Sequence, residues 1–483
     1  MSITAPRCVR VDLSGIVLPG FRAKQQGSMA YGRAEFGADR IRAHARPVHI
    51  RSVRSLRDQK SRQVRDRVGA SLRISGAVRK SPIVNRVTEE PASSSSASAD
   101  RRGILFDLLA YSAATSSART NNRISAQRLQ EFDDRQIQWV FDAGLAPLLH
   151  RALGNDVEQL PPSRRDALRS ADLTARVRHG SLVDAAVAII DTCQELDIPV
   201  TLLKGISISD QFYPEAHLRP MGDIDILVPQ EAYALVEAAL LRQGYVRHPN
   251  YPVTENSHHG VPLFHAERRV WVEIHTSLFP KNTSLQKNTF FDASNVAALS
   301  CISPFHGRRV SRLTIELQLA YIASFWIRDL CQEGIQPSYV PPVFDAIYLL
   351  KASGGSLRWT SFLERLDNES AILSLYILLT YLSRRDLFHV YPDVLARLAS
   401  AQRIIGPMEL KIIHGMFDNN LIGGKPFTKL FQSWHVLHNL LVPGSHTAKL
   451  LALPWRIVFP PRYADRYGQY QLARITRRVR GER

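Results

Sequence analysis

The spacing of apolar residues divides the chain into helical and strand-like regions. Between residues 103 and 195, apolar positions recur every three or four residues, as in IQWVFDAGLAPLLHRAL, which is the pattern of amphipathic helices. From about residue 290 to 470 the same spacing returns, for example in LTIELQLAYIASFWIRDL. Between these regions the apolar period shortens to two, which predicts strands. We therefore expect a small α/β module with helices before and after it.

The central region predicts several strands and one helix. IPVTLLKG is a short β-prone run that ends in glycine, and DIDILVP is a second run that ends in proline. EAYALVEAALLRQG predicts a helix that ends at Gly244. VPLFHAE and RRVWVEIHTSL alternate like the strands of a hairpin that turns near Glu267 and Arg268. Together these patterns predict an α+β fold in which a small mixed β-sheet core is flanked by N- and C-terminal helical regions.

The first hundred residues differ in composition from the rest of the chain. They contain 19 Lys and Arg against 8 Asp and Glu, and so contribute 11 of the net charge of +18. They lack long apolar periodicity and end in PASSSSASAD, which is typical of a disordered segment. Three interpretations stay open: a nucleic-acid-binding arm, an Arg/Ser-rich targeting peptide, and translated upstream sequence. We predict a disordered extension over 1–102, a helical lead-in over 103–195, a core over 196–285 and a C-terminal helical domain over 286–475.

Charge and cysteine content narrow the classes of partner and compartment. The chain beyond residue 100 is only mildly basic, and its helical segments show no basic stripe with interleaved aromatic residues, so no clear nucleic-acid surface is predicted there. The four cysteines are widely spaced without a C-x-x-C pair, which disfavours a disulfide framework or a structural zinc site. Apolar runs are too short for a membrane span, and the N-terminus lacks a secretory signal pattern. We expect a cytoplasmic protein.

Two aspartates lie on a stretch whose other residues predict a buried strand. In DIDILV, strand alternation places Asp223 and Asp225 on one face and the isoleucines between and after them on the other. Two residues of strand advance about 6.6 Å, so both carboxylates can reach one small site. Two like charges at this distance repel, and a divalent cation between them removes the repulsion. Mg²⁺ takes oxygen ligands and is commonly held by one or two carboxylates.

A third acid comes from the predicted hairpin. In RVWVEIHTSL, Glu273 and His275 share one face of the strand. If this strand lies beside DIDILV, Glu273 supplies a third carboxylate to the same site. Three acidic groups on neighbouring strands are the arrangement that a metal-dependent phosphoryl or nucleotidyl transfer site requires.

These motifs resemble a known group of enzymes. A glycine, then D-x-D, then a lone acid on a later strand resembles the polymerase-β-like nucleotidyltransferase superfamily. The series LLKG, Arg, DIDILV and VEIH is similar, over about residues 105–470, to a bacterial family of uncharacterised nucleotidyltransferases. The resemblance implies Mg²⁺-dependent transfer of a nucleoside monophosphate from an NTP, such as ATP, to a hydroxyl or amine acceptor. It implies catalytic and metal-binding roles for Asp223, Asp225 and Glu273, and substrate- or phosphate-binding roles for Lys204, Gly205, Arg219 and His275.

Other interpretations stay open at this stage. The superfamily usually follows its turn glycine with serine, closer to the D-x-D, whereas Ile206 follows Gly205 here. This departure favours a catalytically degenerate binding or scaffold protein, and D-x-D alone also occurs in sugar-nucleotide glycosyltransferases. The acceptor and the preferred NTP are not determined by the sequence. Three histidines invite a zinc hypothesis, but without a cysteine or acid at ligand spacing we predict polar strand positions for His258, His259 and His265.

Overall fold

The computed structural model of the chain describes residues 94–114, 124–251, 255–422, 434–441 and 443–458. The predicted extension lies outside these residues up to position 93. The described part begins with helix α1, Ser94–Ala114, so the predicted boundary between extension and lead-in, at residue 102, falls inside a helix. Within the described residues, none of the helices combines the length and the apolar character that a bilayer crossing requires.

The lead-in folds into short helices and one long one. Helix α3 begins with a capping box in which the Asp133 side chain accepts a hydrogen bond from the Gln136 amide, and the Gln136 side chain accepts one from the Asp133 amide. This reciprocal pairing satisfies amides that a helix start leaves open. After α1, the helices of this region are α2 (Ala126–Leu129), α3 (Asp134–Asp142), α4 (Ala146–Leu153) and α5 (Pro162–Glu195).

A seven-stranded mixed sheet forms the centre of the molecule, in the order β3-β4-β5-β2-β1-β7-β6. Strand β2 lies in the middle, parallel to β5 on one side and antiparallel to β1 on the other. Helix α6 (Lys204–Phe212) follows β1, and helix α7 (Tyr233–Arg242) follows β2. The strands are β1 (Thr201–Leu202), β2 (Asp223–Leu227), β3 (Tyr245–Arg247), β4 (Leu263–His265), β5 (Val270–His275), β6 (Ser300–Phe305) and β7 (Arg308–Leu313).

The predicted fold class is confirmed, with a mixed sheet between two helical regions. Strands β4 and β5 form the predicted antiparallel hairpin, whose turn contains the two predicted residues. Helix α7 is followed by Gly244 at φ +93°, the left-handed conformation in which glycine ends a helix without steric cost.

The hairpin of β6 and β7 is a feature that the apolar pattern did not predict. It follows the predicted end of the core at residue 285, and β7 pairs parallel with β1, where Leu202 lies opposite Arg312. The hairpin buries few apolar side chains, Phe305 and Val310 among them, and three of its positions are arginine. Period-two alternation of apolar residues is therefore weak in this segment, although its backbone completes the sheet.

The helices that precede the sheet in the sequence and the later helices that follow it share one hydrophobic core. That core contains Leu109 and Trp139 from the lead-in and Trp326 and Leu378 from the later helices. A second cluster, including Ile224 and Val272, packs one face of the sheet against α5 and α7. The later helices are α8 (Ala293–Ala298), α9 (Ile315–Glu333), α10 (Pro341–Ser353), α11 (Trp359–Arg365), α12 (Glu369–Arg384), α13 (Pro392–Ala401), α14 (Pro407–Asn420), α15 (Trp434–Leu441) and α16 (His446–Val458).

Candidate functional site

Strand pairing brings the predicted acidic residues together. Strands β2 and β5 are parallel and in a register that places Asp225 opposite Glu273, while Asp223 precedes Asp225 by two residues on the same face of β2. Ile224 and Ile226 are fully buried on the other face, which fixes the direction in which the aspartates point. The alternation predicted from the sequence is the one that the structure contains.

Two cationic side chains contact Asp225. The Lys204 ammonium donates a hydrogen bond to Asp225 Oδ1 at 2.7 Å. His275 Nε2 lies 2.8 Å from the same oxygen and 3.5 Å from Glu273 Oε2. Lys204 adopts φ +40°, a conformation that is uncommon for a residue with a side chain and that clusters at functional sites. The structure therefore brings Lys204 and His275 to the carboxylates of the D-x-D and VEIH motifs.

Arg219 lies beside this group, but its charge is paired elsewhere. Its guanidinium donates to both carboxylate oxygens of Asp345 on α10, from Nε at 3.0 Å and from Nη2 at 2.9 Å. The Tyr213 hydroxyl also donates to Asp345, which is completely buried. A Cβ at Gly205 would lie 2.5 Å from Arg219 Nη1 and 2.9 Å from the side chain of Met221. Glycine at 205 thus allows the guanidinium to lie against the start of α6.

The two aspartates of β2 differ in their electrostatic environments. Burial, together with the negative charges of Asp225 and Glu273, raises the pKa of Asp223 to about 7. Burial by itself would raise the pKa of Asp225 as well. The Lys204 ammonium and the hydrogen bond from His275 outweigh burial and hold the pKa of Asp225 far below its usual range. Asp225 is therefore matched by cations, whereas Asp223 carries a charge that nearby groups disfavour.

The side chains on β5 complete this charge pattern. Burial opposes ionisation of Glu273, yet the hydrogen bond with His275 and the charge of Lys204 lower its pKa to about 2. Burial opposes the charged form of His275, yet its hydrogen bonds to Asp225 and Glu273 raise its pKa. The result is an ion-pair network of Lys204, Asp225, Glu273 and His275 beside Asp223, whose ionisation is opposed by burial and by the two other carboxylates.

Two further histidines border the site, although the sequence predicted only polar strand positions for them. His258 and His259 are each 8% exposed, and their rings lie 4.6 Å apart and 5.1 Å from the His275 ring. A bridge between His259 and His275 places them at the end of β5, and His259 Nε2 is 3.8 Å from Glu273 Oε2. His265, in contrast, packs against Tyr245 on β4. The signal in the sequence was the adjacent histidine pair in SHHG, followed by Gly260. In the structure Gly260 lies so close to the Tyr233 side chain that a Cβ would collide with it.

Helix α9 supplies the neighbouring layer of the site. Burial raises the pKa of Tyr321, and the charges of Lys204 and Asp225 act on its hydroxyl group. About two turns further along the helix, the Arg328 guanidinium lies 3.3 Å from His258 Nε2. The apolar spacing of this segment predicted a helix with core residues, and most of the helix is buried. The spacing could not show that the Tyr321 hydroxyl interacts with Lys204 and Asp225.

The donor atoms of the site fit a divalent cation. Among the described residues, one group of three metal-capable side chains has ligand atoms within 4.8 Å of one another, namely Asp225, Glu273 and His275. Asp223 adds a carboxylate near this group, and burial together with the charges of Asp225 and Glu273 opposes its ionisation in the absence of an ion. Two or three carboxylates are the donors that divalent metals use in phosphoryl transfer sites.

Comparison with known proteins identifies the family. The sequence profile of a family described as uncharacterised nucleotidyltransferase matches residues 131–385, slightly more than half of the chain. The chain belongs to this nucleotidyltransferase family. The matched stretch includes every predicted site residue and is shorter than the range of about 105–470 over which the resemblance was expected.

One solved structure with a related description is similar to part of this nucleotidyltransferase-family chain. It is an antigenic nucleotidyltransferase-like protein from Paracoccidioides brasiliensis, with 14% sequence identity and a TM-score of 0.28. The similarity covers 46% of this chain and 94% of that chain. No curated protein matches the chain at a significant level.

Proposed function

We propose that the protein transfers a nucleoside monophosphate from an NTP to a hydroxyl or amine acceptor, with the help of a divalent cation. The observation that carries this proposal is the register of β2 and β5, which sets Asp225 beside Glu273 with Asp223 in the same charge network. Membership of the nucleotidyltransferase family supports the reaction class.

The cation expected from the family resemblance is Mg²⁺, held by Asp223, Asp225 and Glu273. When bound, such an ion neutralises phosphate charge and favours departure of pyrophosphate. In the reaction, the acceptor oxygen or nitrogen forms a bond to the α-phosphorus, and the bond from that phosphorus to the pyrophosphate oxygen breaks. The acceptor also loses a proton. A carboxylate of the site that the ion leaves uncoordinated would accept that proton.

The start of α6 is the candidate contact for the triphosphate. Helix α6 begins at Lys204, and its N-cap residue Leu203 makes no side-chain hydrogen bond, so the first backbone amides lack the usual cap, a role that an anion can fill. The Lys204 ammonium lies at the same place, next to Asp225. Lys204, Gly205 and the helix start therefore offer donors of the kind that bind phosphate oxygens, and Arg219 lies against Gly205.

A catalytically degenerate binding or scaffold protein is the second candidate, and two ion pairs favour it. Lys204 and Arg219, the cations expected to meet phosphate, contact Asp225 and Asp345 instead. The departure from the glycine-serine turn points the same way. A glycosyltransferase is less favoured, since the described residues ahead of β1 form helices α1–α5 rather than a nucleotide-binding α/β half.

The test measures nucleotide binding and transfer by the full chain. Each of the four NTPs, labelled at the α-phosphate, is incubated with Mg²⁺, the protein and a metabolite and protein extract, and label transfer and pyrophosphate release are followed. We expect transfer by the wild type and a decrease of at least about 10³-fold, or about 4 kcal/mol, in Asp225→Asn, because the central carboxylate of the site is lost. Calorimetric titration with NTP and Mg²⁺ measures binding separately.

The matched control is Asp191→Asn. Asp191 is a half-buried aspartate on α5 that pairs with Arg308, so its loss should change transfer by less than twofold. Transfer at equal rates by wild type and Asp225→Asn contradicts the proposal. Failure of the folded wild type to bind any NTP with Mg²⁺ favours the scaffold hypothesis.

A further inference from the structure

We propose that His275 is itself a metal ligand and that the site prefers a transition-metal dication, such as Mn²⁺, over Mg²⁺. The inference rests on the proposed function only for the location of the metal, between Asp225 and Glu273. It departs from the expectation of Mg²⁺ held by three carboxylates, because it adds a nitrogen to the donor set.

The separations of the three donor atoms are those of ligands around one ion. His275 Nε2 lies 2.8 Å from Asp225 Oδ1 and 3.5 Å from Glu273 Oε2. For metal–ligand distances of about 2.1 Å, neighbouring ligands are about 3.0 Å apart in an octahedron and about 3.4 Å apart in a tetrahedron. The distances from the nitrogen to both carboxylate oxygens are therefore close to those between ligands of one ion. In the described part of the chain, these three residues are the group whose possible ligand atoms all lie within 4.8 Å of one another.

The chemistry of the nitrogen decides the class of ion. Mg²⁺ is a hard cation that takes oxygen ligands and retains water. Imidazole nitrogen suits transition-metal ions such as Fe²⁺, Ni²⁺ and Zn²⁺, and affinity for mixed N/O sites rises from Mn²⁺ through Fe²⁺, Co²⁺ and Ni²⁺ to Cu²⁺ and falls again at Zn²⁺. Mn²⁺ lies at the weak end of that series, which makes it a stringent probe of the preference. A site with one imidazole and two carboxylates therefore gains more from a transition-metal ion than from Mg²⁺.

The surroundings of His275 hold the ring in position and allow Nε2 to exchange its proton for a metal ion. The residue is fully buried, and its position on β5 next to the bridge with His259 fixes the backbone. Within the residues that the structure describes, the buried Nδ1 of His275 has no hydrogen-bond partner. Without an ion, Nε2 donates a proton to Asp225 Oδ1. When a metal ion replaces that proton between Nε2 and the carboxylates, the remaining ring proton resides on Nδ1, where it breaks no existing contact.

The neighbouring histidines are engaged in other contacts. His259 donates from Nδ1 to the Gly260 carbonyl at 2.8 Å, and its Nε2 is 3.2 Å from the Tyr251 hydroxyl. His258 Nε2 lies next to the Arg328 guanidinium. These contacts make His275 the histidine that we assign as ligand, while the other two border the site.

The experiment measures ion binding by the full chain without nucleotide. Binding of Mn²⁺ is followed by loss of the free-ion signal in electron paramagnetic resonance, and binding of Mg²⁺ by calorimetry and by competition with Mn²⁺. We expect Mn²⁺ to bind at least tenfold more tightly than Mg²⁺. Pulsed electron paramagnetic resonance of bound Mn²⁺ should show the nuclear coupling of a directly bound histidine nitrogen.

The variant His275→Asn separates the nitrogen from the rest of the site. It should lose the nitrogen coupling and bind Mn²⁺ at least tenfold more weakly, with less than a threefold change for Mg²⁺. The control His265→Asn, at a histidine that packs on Tyr245, should match the wild type.

Three results overturn the inference: similar affinities for Mn²⁺ and Mg²⁺, absence of nitrogen coupling in the wild type, or coupling that persists in His275→Asn. The wild-type measurement decides even if the variant does not fold. The outcomes are also distinct from failure of the proposed function. A protein that binds Mn²⁺ through nitrogen but transfers no nucleotide overturns the activity alone, and one that transfers nucleotide with Mg²⁺ bound only through oxygen overturns this inference alone.

Discussion

Two buried charge groups lie close together in this molecule, and they are built differently. The first, the Arg219–Asp345 pair, matches one guanidinium with one carboxylate through two parallel hydrogen bonds. The second, the site cluster, consists of Lys204, Asp223, Asp225, Glu273 and His275. In the site cluster, Asp225 is matched by cations, but Asp223 has its pKa raised to about 7 by burial and by the neighbouring carboxylates. The pair is matched in charge by itself, whereas the cluster contains one carboxylate, Asp223, whose ionisation its surroundings oppose.

This difference indicates a structural role for the Arg219–Asp345 pair and a binding role for the site cluster. A buried ion pair with ideal geometry is costly to break but adds modestly to stability, because desolvation offsets the attraction. A buried carboxylate without a matching cation lowers stability unless something else binds there. We infer that the Arg219–Asp345 pair joins the loop before β2 to α10, and that the site cluster is set up to receive a cation.

The largest expected effect comes from breaking the pair. Asp345→Asn removes the negative charge and leaves the Arg219 guanidinium buried without a counter-ion, which should lower the free energy of unfolding by about 3–5 kcal/mol. Chemical denaturation followed by circular dichroism measures the change. The double variant Arg219→Met, Asp345→Leu removes both charges and should cost less than half as much. A double variant as unstable as the single one would show that the pair is not the source of the effect.

At the site cluster we expect a smaller effect, an increase rather than a decrease in the free energy of unfolding. With its pKa raised from 3.8 to about 7, folded Asp223 holds a proton that the unfolded chain releases, so its contribution to stability falls as pH rises from about 4 to 7. Asp223→Asn removes that cost and should be more stable than the wild type by about 2–3 kcal/mol at pH 8, and by less at pH 5. Urea unfolding at both pH values checks this. A variant less stable than the wild type at pH 8 contradicts the comparison.

The smallest effect concerns the residue between the two groups. Gly205→Ala would place a Cβ 2.5 Å from Arg219 Nη1, so the guanidinium or α6 must shift. We expect a loss of about 1–2 kcal/mol in the free energy of unfolding, typical of overpacking a close contact. Thermal unfolding measures it, and Gly180→Ala is the matched control, because a Cβ at that helical glycine meets no atom within 4 Å. Equal effects of the two substitutions would contradict the steric role assigned to Gly205.

Much of the fold was predictable because the signals are local. The hairpin of β4 and β5, the helix closed by Gly244 and the direction of the aspartates on β2 all follow from apolar spacing and turn residues over short stretches. The adjacency of β2 and β5 was a condition of the predicted site, and apolar spacing by itself does not determine it. The β6–β7 hairpin was not predictable in the same way, because three arginines interrupt its apolar alternation and its pairing with β1 joins segments about 110 residues apart.

The candidate site was predictable in its acids but not in its partners. Asp223, Asp225 and Glu273 lie at fixed offsets on two strands, so their faces can be read from the sequence. The partner of Arg219 cannot, because Asp345 lies on a later helix, although a lone acid in PPVFDAIYLL was a signal of a buried partner. The approach of His258 and His259 to His275 depends on a bridge formed outside the named strands, which leaves no periodic trace.

The shared helical core has a consequence for how the chain is made. The Trp139 indole donates a hydrogen bond to the carbonyl of Leu421, 282 positions later, and Asp107 accepts one from Arg385, 278 positions later. At 5–20 residues per second, translation takes on the order of 15–60 s to deliver those partners. During that interval the first helices leave the ribosome with their apolar faces uncovered, so production of this protein should depend on chaperones that shield nascent chains.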